Sequence, residues 1–575
     1  MTTTSESFNK CITEGYSFKG LDTLIGVAVL NDEPQSDTIV NLSLKMLNRH
    51  GLIAGATGTG KTKTLQLVAE QLSRNGIPTV LMDLKGDLGG LAVPGEKNEI
   101  VEARKKLFNG AYEYKHEGFP VNILSIGEEE GISIKGTIQE FGPVLLSKIL
   151  GLNSVQSGII SIAFKYCEDK NLQLSTIADL KFFLNKICDE NKDIQDNYGN
   201  IAGTSVTTIL RNIAELEQQG GNYFIGAPSL NIKDLLLKDE KDRGYISIIR
   251  LTQLQDKPAL FSTFIIYLLS KLYSSLPEVG DQEKPNLVMF IDEAHLLFNN
   301  SNKIIQDKIE SVIKLIRSKG VGIIFCTQTP ADISENVLGQ LGLKIQHALR
   351  AFTAKDRKAI KMMAENFPET VYYNVEEELT TLGIGQAFIT GLKEDGTPTP
   401  LVKVILAPPV SRMAILTSSE LSSCVQASPL IKKYTTNKKF NTTPSPELEQ
   451  FYNKIQLLKQ KQEQQEAAAS IQQKQIAKKP VLPRRQSLNT MMFNAMMPLA
   501  GMFSNNMPGN TPVQQSQSTQ YYYTKEGMKK GPFNEFEISN YIINGEINRY
   551  TYLWKTGMSD WLLVSNFQEF LNLIK

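Results

Sequence analysis

Apolar runs alternate with turn residues over roughly the first 415 residues of the chain. Six of these runs read as strands, at 49–55, 78–91, 245–251, 286–293, 321–328 and 344–352. Segments with helical periodicity separate several of them. Strands that are apolar on both faces and alternate with helices are typical of a parallel sheet covered on both sides. The pattern therefore predicts an α/β domain over residues 1–415.

Three segments depart from this alternation. Residues 136–240 are mostly helix-forming and predict a helical insertion into the α/β domain. Residues 441–520 begin as a Gln/Lys-rich helix or short coiled coil, and their Pro-, Asn- and Met-rich remainder is typical of a disordered linker. Aromatic and periodic apolar positions return at 521–575, which predicts a small C-terminal domain.

Composition narrows the class of protein. The 61 basic and 60 acidic side chains give a net charge of +1, which provides no overall attraction for nucleic acid or an anionic membrane. We find no run of about 18 uncharged apolar residues that would span a membrane, and the polar first residues lack a signal-peptide core. The five cysteines are scattered without a CxxC pair, as is usual for reduced thiols. These features predict a cytoplasmic protein.

The turn after the run at 49–55 has the pattern G-x4-G-K-[ST] and consists of Gly55, Ala56, Thr57, Gly58, Thr59, Gly60, Lys61 and Thr62. Glycines allow backbone N–H groups to surround a phosphate where a Cβ would collide. Lys61 would place a charge on the β- and γ-phosphates, and the Thr62 hydroxyl would bind Mg²⁺. The following helix would add its positive N-terminus. The motif predicts a site for ATP and Mg²⁺.

Hydrolysis also needs a carboxylate opposite this loop, and the run at 286–293 ends in Asp292 and Glu293. We interpret Asp292 as a ligand of Mg²⁺ through water, and Glu293 as the base that orients and deprotonates the attacking water. Gln328 ends the run at 321–328, at the edge where ligands bind in open parallel sheets. We interpret Gln328 as a sensor of the γ-phosphate or of the water; the alternative is a plain turn that ends the strand before Pro330.

Two interpretations remain open for each of three further polar residues near the predicted site. Asp83 and Asp87 follow a strand, so they would either contact the water shell of the metal or form turns. His295 follows the carboxylate pair and would have either a structural or a catalytic role, of which a structural contact is the more frequent in such a place.

Several long motifs resemble the HerA/FtsK class of ring-forming ATPases, in particular its bacterial HerA-like branch. They are RHGLIAGATGTGKT, MDLKGDLGGLA, FIDEAHLLF, LIRSKGVGIIFCTQTPADISENVLGQLG and QHALRAFTAKDRKAI, and the resemblance extends over about residues 8–415. It implies a RecA-like core that forms a homo-hexamer with ATP sites between subunits. It also implies a DNA translocase or helicase that acts on double-stranded DNA.

Such interface sites use an arginine of the neighbouring subunit to stabilise charge in the transition state. The resemblance makes Arg350, in the run at 344–352, the first candidate, followed by Arg317 and Arg357. Each of the three could instead form a surface salt bridge.

The C-terminal segment resembles a bacterial GYF-like domain. The residues that carry the resemblance are Tyr522, Tyr523, Gly531, Pro532, Phe533, Gly545, Trp554, Gly557, Met558 and Trp561, although the Gly-Tyr-Phe triplet itself is absent. GYF domains bind proline-rich peptides against aromatic side chains, so the resemblance implies such a partner. The alternative is that these aromatics, Trp561 above all, form the core of a very small domain.

Two functions from different classes therefore remain open. The first is an ATP-driven motor on DNA with an interaction module at its C-terminus. The second is a protein-remodelling or scaffold NTPase that the GYF-like domain recruits to protein partners.

Overall fold

The computed structural model describes residues 4–189, 197–199, 201–280, 282–298, 303–434, 443–476, 520–525, 528–543, 547–558 and 560–570. The chain divides into two compact units, Met1–Lys478 and Lys479–Lys575.

Within the described part of the first unit, twelve strands form one sheet. They are β1 (Asp22–Leu30), β2 (Glu33–Ser43), β3 (Gly51–Ala54), β4 (Thr79–Asp83), β5 (Val121–Ser125), β6 (Ile132–Ser133), β7 (Ile246–Arg250), β8 (Leu287–Ile291), β9 (Val321–Thr327), β10 (Leu343–Gln346), β11 (Gln386–Thr390) and β12 (Val402–Leu406). Their order is β2-β1-β12-β11-β10-β3-β9-β8-β4-β7-β5-β6. The strands from β10 to β6 are parallel, and the other four extend the sheet in antiparallel pairing.

The parallel strands at the centre explain the apolar runs of the sequence. Every residue of β3, β4, β8 and β9 is buried, as expected for strands covered on both faces. Because these strands are parallel, their carboxyl ends lie at one edge of the sheet. That edge therefore collects the residues that follow each strand.

Helices connect and cover the strands of the first unit. They are α1 (Thr4–Gly15), α2 (Lys61–Arg74), α3 (Glu99–Lys106), α4 (Ile138–Ile149), α5 (Ser154–Asp169), α6 (Ile177–Asp189), α7 (Gly203–Gln219), α8 (Pro258–Ser275), α9 (His295–Phe298), α10 (Lys303–Ile316), α11 (Glu335–Leu338), α12 (Ala354–Ala364), α13 (Val375–Thr381), α14 (Ser418–Ala427) and α15 (Pro446–Ile476). Helices α4 to α7 lie between β6 and β7, within the range predicted as a helical insertion. The architecture confirms the predicted RecA-like P-loop fold.

One predicted strand ends earlier than expected. The run at 344–352 forms β10 only as far as Gln346, so Arg350 lies in the loop after the strand and not on it. Strand β10 ends there because neither neighbouring strand continues beside it. β3 ends at Ala54 and is followed by the phosphate loop, and β11 pairs with β10 only up to Gln346. The chain then follows the phosphate loop, where the Ala348 carbonyl accepts a hydrogen bond from Ala56 N–H at 2.8 Å.

Packing against the first unit continues beyond residue 415. The Tyr434 hydroxyl accepts a hydrogen bond from the Asn231 N–H at 2.8 Å. Near the start of α15, Leu448 and Tyr452 are buried, and the Tyr452 ring lies 5.4 Å from Phe182 on α6. The beginning of the predicted linker is therefore a helix packed on the insertion. The part predicted to be disordered, residues 477–519, lies outside the described residues.

The second unit is a small α+β domain. Its strands are β13 (Tyr521–Lys525), β14 (Met528–Phe533), β15 (Tyr552–Lys555) and β16 (Leu562–Leu563), and its helix is α16 (Glu535–Ile543). The strands form an antiparallel sheet in the order β14-β13-β15-β16. In neither unit is any described helix both long and apolar enough to cross a bilayer.

We expect a chain that ends after residue 440 to be less stable than one that ends after residue 478. The shorter chain loses Leu448 and Tyr452, and burial of one large apolar side chain stabilises a protein by about 1.5–3 kcal/mol. Urea unfolding followed by far-ultraviolet circular dichroism measures the difference. Equal unfolding midpoints for the two truncated chains would contradict the packing of α15 on the insertion.

Candidate active site

The phosphate loop joins β3 to α2 and depends on its glycines. Gly55 has φ +152°, and a Cβ there would lie 2.5 Å from the Cβ of His347. Gly60 has φ +111° and begins α2 without any side-chain cap. The first-turn N–H groups of α2 therefore have no intrahelical partner, which is the property that makes a helix N-terminus bind phosphate.

Segments from two other strands hold the loop in place. His347, after β10, shares a hydrogen bond of 2.9 Å between its Nε2 and the Thr64 hydroxyl. Burial lowers the pKa of His347 to about 4, so its ring is neutral at neutral pH. Before β11, the Gly385 N–H donates to the Thr59 carbonyl at 3.0 Å. The loop is thus fixed from the side of β10 and β11.

Lys61 folds back onto its own loop. Its Nζ donates to the Gly55 carbonyl at 2.6 Å and to the Ala56 carbonyl at 3.2 Å. Burial lowers the pKa of Lys61, and the charge of Glu293 opposes that shift. The ammonium group therefore lies at the loop and within electrostatic range of the carboxylate pair.

The carboxylate pair stands at the end of β8, with Lys85 from the end of β4 beside it. Lys85 Nζ lies 2.5 Å from Glu293 Oε1 and 4.0 Å from Asp292 Oδ2. Glu293 has φ +50°, a left-handed conformation that costs energy in a residue with a Cβ and that clusters at functional sites. The fold thus maintains a strained backbone where this side chain leaves the strand.

The two carboxylates are in different electrostatic states. Burial raises the pKa of Asp292 to about 6, against the charge of Lys85. Burial acts in the same direction on Glu293, but the hydrogen bond and charge of Lys85 hold its pKa below the ordinary value. Glu293 is therefore ionised at neutral pH, as a general base must be.

One oxygen of Glu293 remains available. Oε2 is buried and has no hydrogen-bond partner among the described residues, although His295 Nδ1 lies 3.3 Å away. A buried carboxylate oxygen of this kind calls for a water or a ligand. The Thr62 hydroxyl and the Asp292 carboxylate are oxygen donors, which is the type of ligand that Mg²⁺ prefers. The residues present fit the predicted ion.

Of the two interpretations of Asp83, contact with the water shell of the metal or formation of a turn, the hydrogen bonds support the turn. Its carboxylate accepts hydrogen bonds from the N–H groups of Gly86 at 2.6 Å and Leu88 at 3.2 Å. It thereby shapes the turn that carries Lys85. Asp87 lies in the same turn, and one of its carboxylate oxygens is buried without a hydrogen-bond partner in the described structure.

Gln328 and Arg350 share a cavity beside the phosphate loop. The cavity has a volume of about 830 Å³, and its wall includes Ala56 and Thr57 of the loop. Arg357 and Arg350 line a second cavity of about 690 Å³, together with Gly58. Arg350 is therefore close to the loop of its own chain.

Arg317 lies at the opposite edge of the sheet. It begins a short 3₁₀ turn directly before β9, whereas Gln328 follows the other end of that strand. Strand β9 has seven residues and rises about 3.3 Å per residue, so its ends are roughly 20 Å apart. Arg317 is thus remote from the phosphate loop of its own chain.

The second unit carries a separate cluster of aromatic side chains around a lysine. Lys529 Nζ lies 4.0 Å from the ring centre of Tyr522, 5.2 Å from Trp554 and 6.0 Å from Trp561. We call these three rings the aromatic face. They are half-buried, while other side chains, such as Tyr523 and Phe570, form the core of the unit.

Comparison with known proteins identifies the family to which most of the chain is similar. Residues 28–507 match the model of the family described as helicase HerA-like C-terminal, which is more than half of the chain. The chain belongs to this family. Residues 521–570 match the model of GYF domain 2, so both resemblances drawn from the sequence are confirmed.

Several curated relatives are similar to this HerA-like chain. The DNA double-strand break repair helicase HerA of Saccharolobus solfataricus is 21% identical over 61% of this chain and 63% of that protein. The protein of the same name from Sulfurisphaera tokodaii is 25% identical over 62% and 65%. The DNA import protein CedB of Sulfolobus acidocaldarius is 26% identical over 51% and 42%. The chain spans less than two thirds of the length of these relatives.

The solved structures that align with this chain have lower sequence identity. The bacterial conjugative coupling protein TrwBdeltaN70 aligns with a TM-score of 0.46 and 14% identity, covering 71% of this chain and 93% of that one. VirB4 of Thermoanaerobacter pseudethanolicus aligns with a TM-score of 0.41 and 15% identity, covering 67% and 96%.

Lys85 is the residue of the HerA-like site that the sequence analysis missed. Its only signal is a position between Asp83 and Asp87 directly after a predicted strand. This position does not reveal that Lys85 belongs to the site. Only the pairing of β4 with β8 brings Lys85 to Glu293.

We expect Lys85→Met to move the acid limb of the ATPase pH profile to higher pH. Lys85 holds the pKa of Glu293 below its ordinary value, so its removal raises that pKa, and the base becomes protonated at a higher pH. Turnover should therefore fall more at pH 6 than at pH 8. Lys97→Met, which removes an exposed lysine, is the control. An equal loss of turnover at every pH would show that Lys85 acts in another way.

Proposed function

We propose that this HerA-like chain hydrolyses ATP with Mg²⁺ at the edge of its parallel sheet. The observation that carries the proposal is the arrangement of Glu293. Lys85 keeps this carboxylate ionised, its charge acts on Lys61, and its buried Oε2 has no hydrogen-bond partner among the described residues. Lys61 binds the β- and γ-phosphates in place of the loop carbonyls. Glu293 accepts the proton of the attacking water through Oε2.

Thr62 and Asp292 would hold the Mg²⁺ ion, which neutralises charge on the phosphates. The raised pKa of Asp292 favours this role, because a carboxylate that is costly to ionise alone gains stability from a nearby cation. Gln328, in the cavity next to the loop, would position the water or sense the γ-phosphate.

We propose further that hydrolysis drives translocation along double-stranded DNA in a homo-hexameric ring. Support comes from the family and from relatives named as DNA repair helicases and a DNA import protein. The near-neutral charge of the chain is compatible with a motor whose basic residues line a channel. A cytoplasmic location stays a prediction.

A ring with sites between subunits needs an arginine from the neighbouring subunit, and the two leading candidates differ in position. Arg350 lines a cavity with the phosphate loop of its own chain, which favours a role in cis. Arg317 lies at the far edge of the sheet, so it reaches a phosphate loop only from a neighbour. We therefore propose Arg317 as the residue that acts in trans.

A second function is favoured by the aromatic face of the C-terminal unit. Half-buried aromatic rings on a small domain of the GYF type suit a proline-rich peptide, which docks against such rings at low entropic cost. The chain would then act as a protein-remodelling or scaffold NTPase whose client is chosen by the aromatic face.

We expect Glu293→Gln to bind ATP but to lose about 10²–10⁴-fold in turnover, the usual contribution of a general base. Lys61→Ala should instead lose both binding and hydrolysis, because the loop loses its phosphate charge. Steady-state ATPase rates, with and without linear double-stranded DNA, give the measurement. Glu240→Gln, at an exposed glutamate, should behave as the parent chain does.

Stimulation by DNA separates the two functions. A motor on DNA should hydrolyse ATP faster when DNA is present, whereas a remodelling NTPase should respond to its client protein only. Retention of most activity by Glu293→Gln would overturn the assignment of the base.

We expect mixed oligomers to distinguish the arginines. Arg317→Ala and Lys61→Ala should each be inactive, with a loss of roughly 10³-fold or more for the arginine. Their mixture should regain activity, because some sites pair an intact Lys61 with an intact Arg317 from the neighbour. A mixture of Arg350→Ala with Lys61→Ala should stay inactive, since a residue that acts in cis cannot be supplied by another subunit. The reverse pattern would make Arg350 the trans residue.

A further inference from the structure

A small apolar cavity lies beside the phosphate loop, on the side away from the carboxylate pair. Its volume is about 220 Å³, and its wall includes Gly60, Lys63 and Thr64 from the start of α2. The rest of the wall comes from α3 and from the chain before β11 and after β12, and includes Val101, Arg104, Ile384, Pro408, Pro409 and Met413. Nothing in the proposed hydrolytic chemistry uses this space.

The order of strands gives the cavity its relation to a bound triphosphate. The reacting end must point to Glu293, after β8, which lies on one side of β3 in the sheet. The cavity borders the ends of β11 and β12, which lie on the other side of β3. A nucleotide whose γ-phosphate is at Glu293 and whose phosphates follow the first turn of α2 therefore extends its nucleoside toward the cavity.

Arg104 forms one wall of this cavity and is held in a single place. Its guanidinium donates to the Ile384 carbonyl, and Gly385 has φ +72° with no room for a Cβ beside the guanidinium. Gly385 also donates to Thr59 of the phosphate loop. The position of Arg104 is thus linked to the loop through one residue.

We propose that the cavity binds the purine base of the nucleotide, with the Arg104 guanidinium stacked on the base. Arginine stacks on aromatic planes, and the wall also includes the apolar side chains of Val101, Pro408, Pro409 and Met413. This inference rests on the proposed ATP site and adds the part of the site that recognises the base.

The cavity recognises the base by shape and stacking more than by hydrogen bonds. The wall carbonyls already accept protein hydrogen bonds: Pro408 from Tyr112 at 3.1 Å, Pro409 from Tyr114 at 3.2 Å, and Met413 from Lys63 at 2.5 Å. Large discrimination requires buried polar groups that the wrong base leaves unpaired. The site therefore accepts ATP and GTP with affinities within about tenfold of each other.

The test measures equilibrium binding of ATP, GTP and inorganic tripolyphosphate to the full chain by calorimetry. Arg104→Ala should weaken ATP and GTP by about tenfold or more and leave tripolyphosphate unchanged, since only the nucleotides have a base to stack. Arg104→Lys should behave similarly, because it keeps the charge but not the plane. Lys106→Ala, an exposed lysine on the same helix, should change nothing.

A second variant tests the same cavity independently, in case Arg104→Ala does not fold. Met413→Trp fills the cavity from a partly exposed position, and it should likewise weaken the nucleotides but not tripolyphosphate. Equal weakening of all three ligands by Arg104→Ala would overturn the proposal, as would unchanged ATP affinity in both variants or a parent chain that prefers one of ATP and GTP by more than about tenfold. If the parent chain bound tripolyphosphate no better than Lys61→Ala does, the proposed ATP site itself would fail.

Discussion

Parallel pairing of β3, β9, β8 and β4 is the constraint on which the candidate site depends. The buried residues of these four strands pair in parallel register. The polypeptide therefore leaves the sheet at the same edge after each strand. The phosphate loop, Gln328, the carboxylate pair and Lys85 follow the four strands in that order across the edge. A slip of one residue in any pair would move the side chain that follows it away from the loop.

At this edge of the sheet, Lys85 determines which of the two adjacent carboxylates ionises more readily. Two buried carboxylates side by side resist ionisation, as the raised pKa of Asp292 shows. The contact from Lys85 to Glu293 lets one of them ionise. The ion pair is partly buried, so its main effect is to set protonation states and not to add much stability. It connects the turn after β4 to the chemistry after β8.

The antiparallel half of the sheet supports the loop from the other side. Strand β10, which ends the parallel half, and β11, which begins the antiparallel half, bring His347 and Gly385 into hydrogen-bonding contact with Thr64 and Thr59. This support also defines the cavity in which we place the base, because Arg104 packs on Gly385. The nucleotide site is therefore built where the two halves of the sheet meet. The reacting groups follow parallel strands, and the walls come from α2, from α3 and from the chain before β11 and after β12.

The phosphate loop, the carboxylate pair, most of the parallel strands, the helical insertion and the small aromatic domain could all be predicted from the sequence. In each case the signal is local: a motif, an apolar run, or a change of composition. The sequence did not predict β1, β2, β5, β6, β11 or β12. Of these, β12 pairs with β1 and β5 pairs with β7, and both partners are remote in sequence. The early end of β10 and the position of Arg350 in a loop depend on where β3 and β11 end. The roles of Lys85 and Arg104 could not be predicted, because their partners Glu293 and Ile384 are remote in sequence and only the folded chain brings them together.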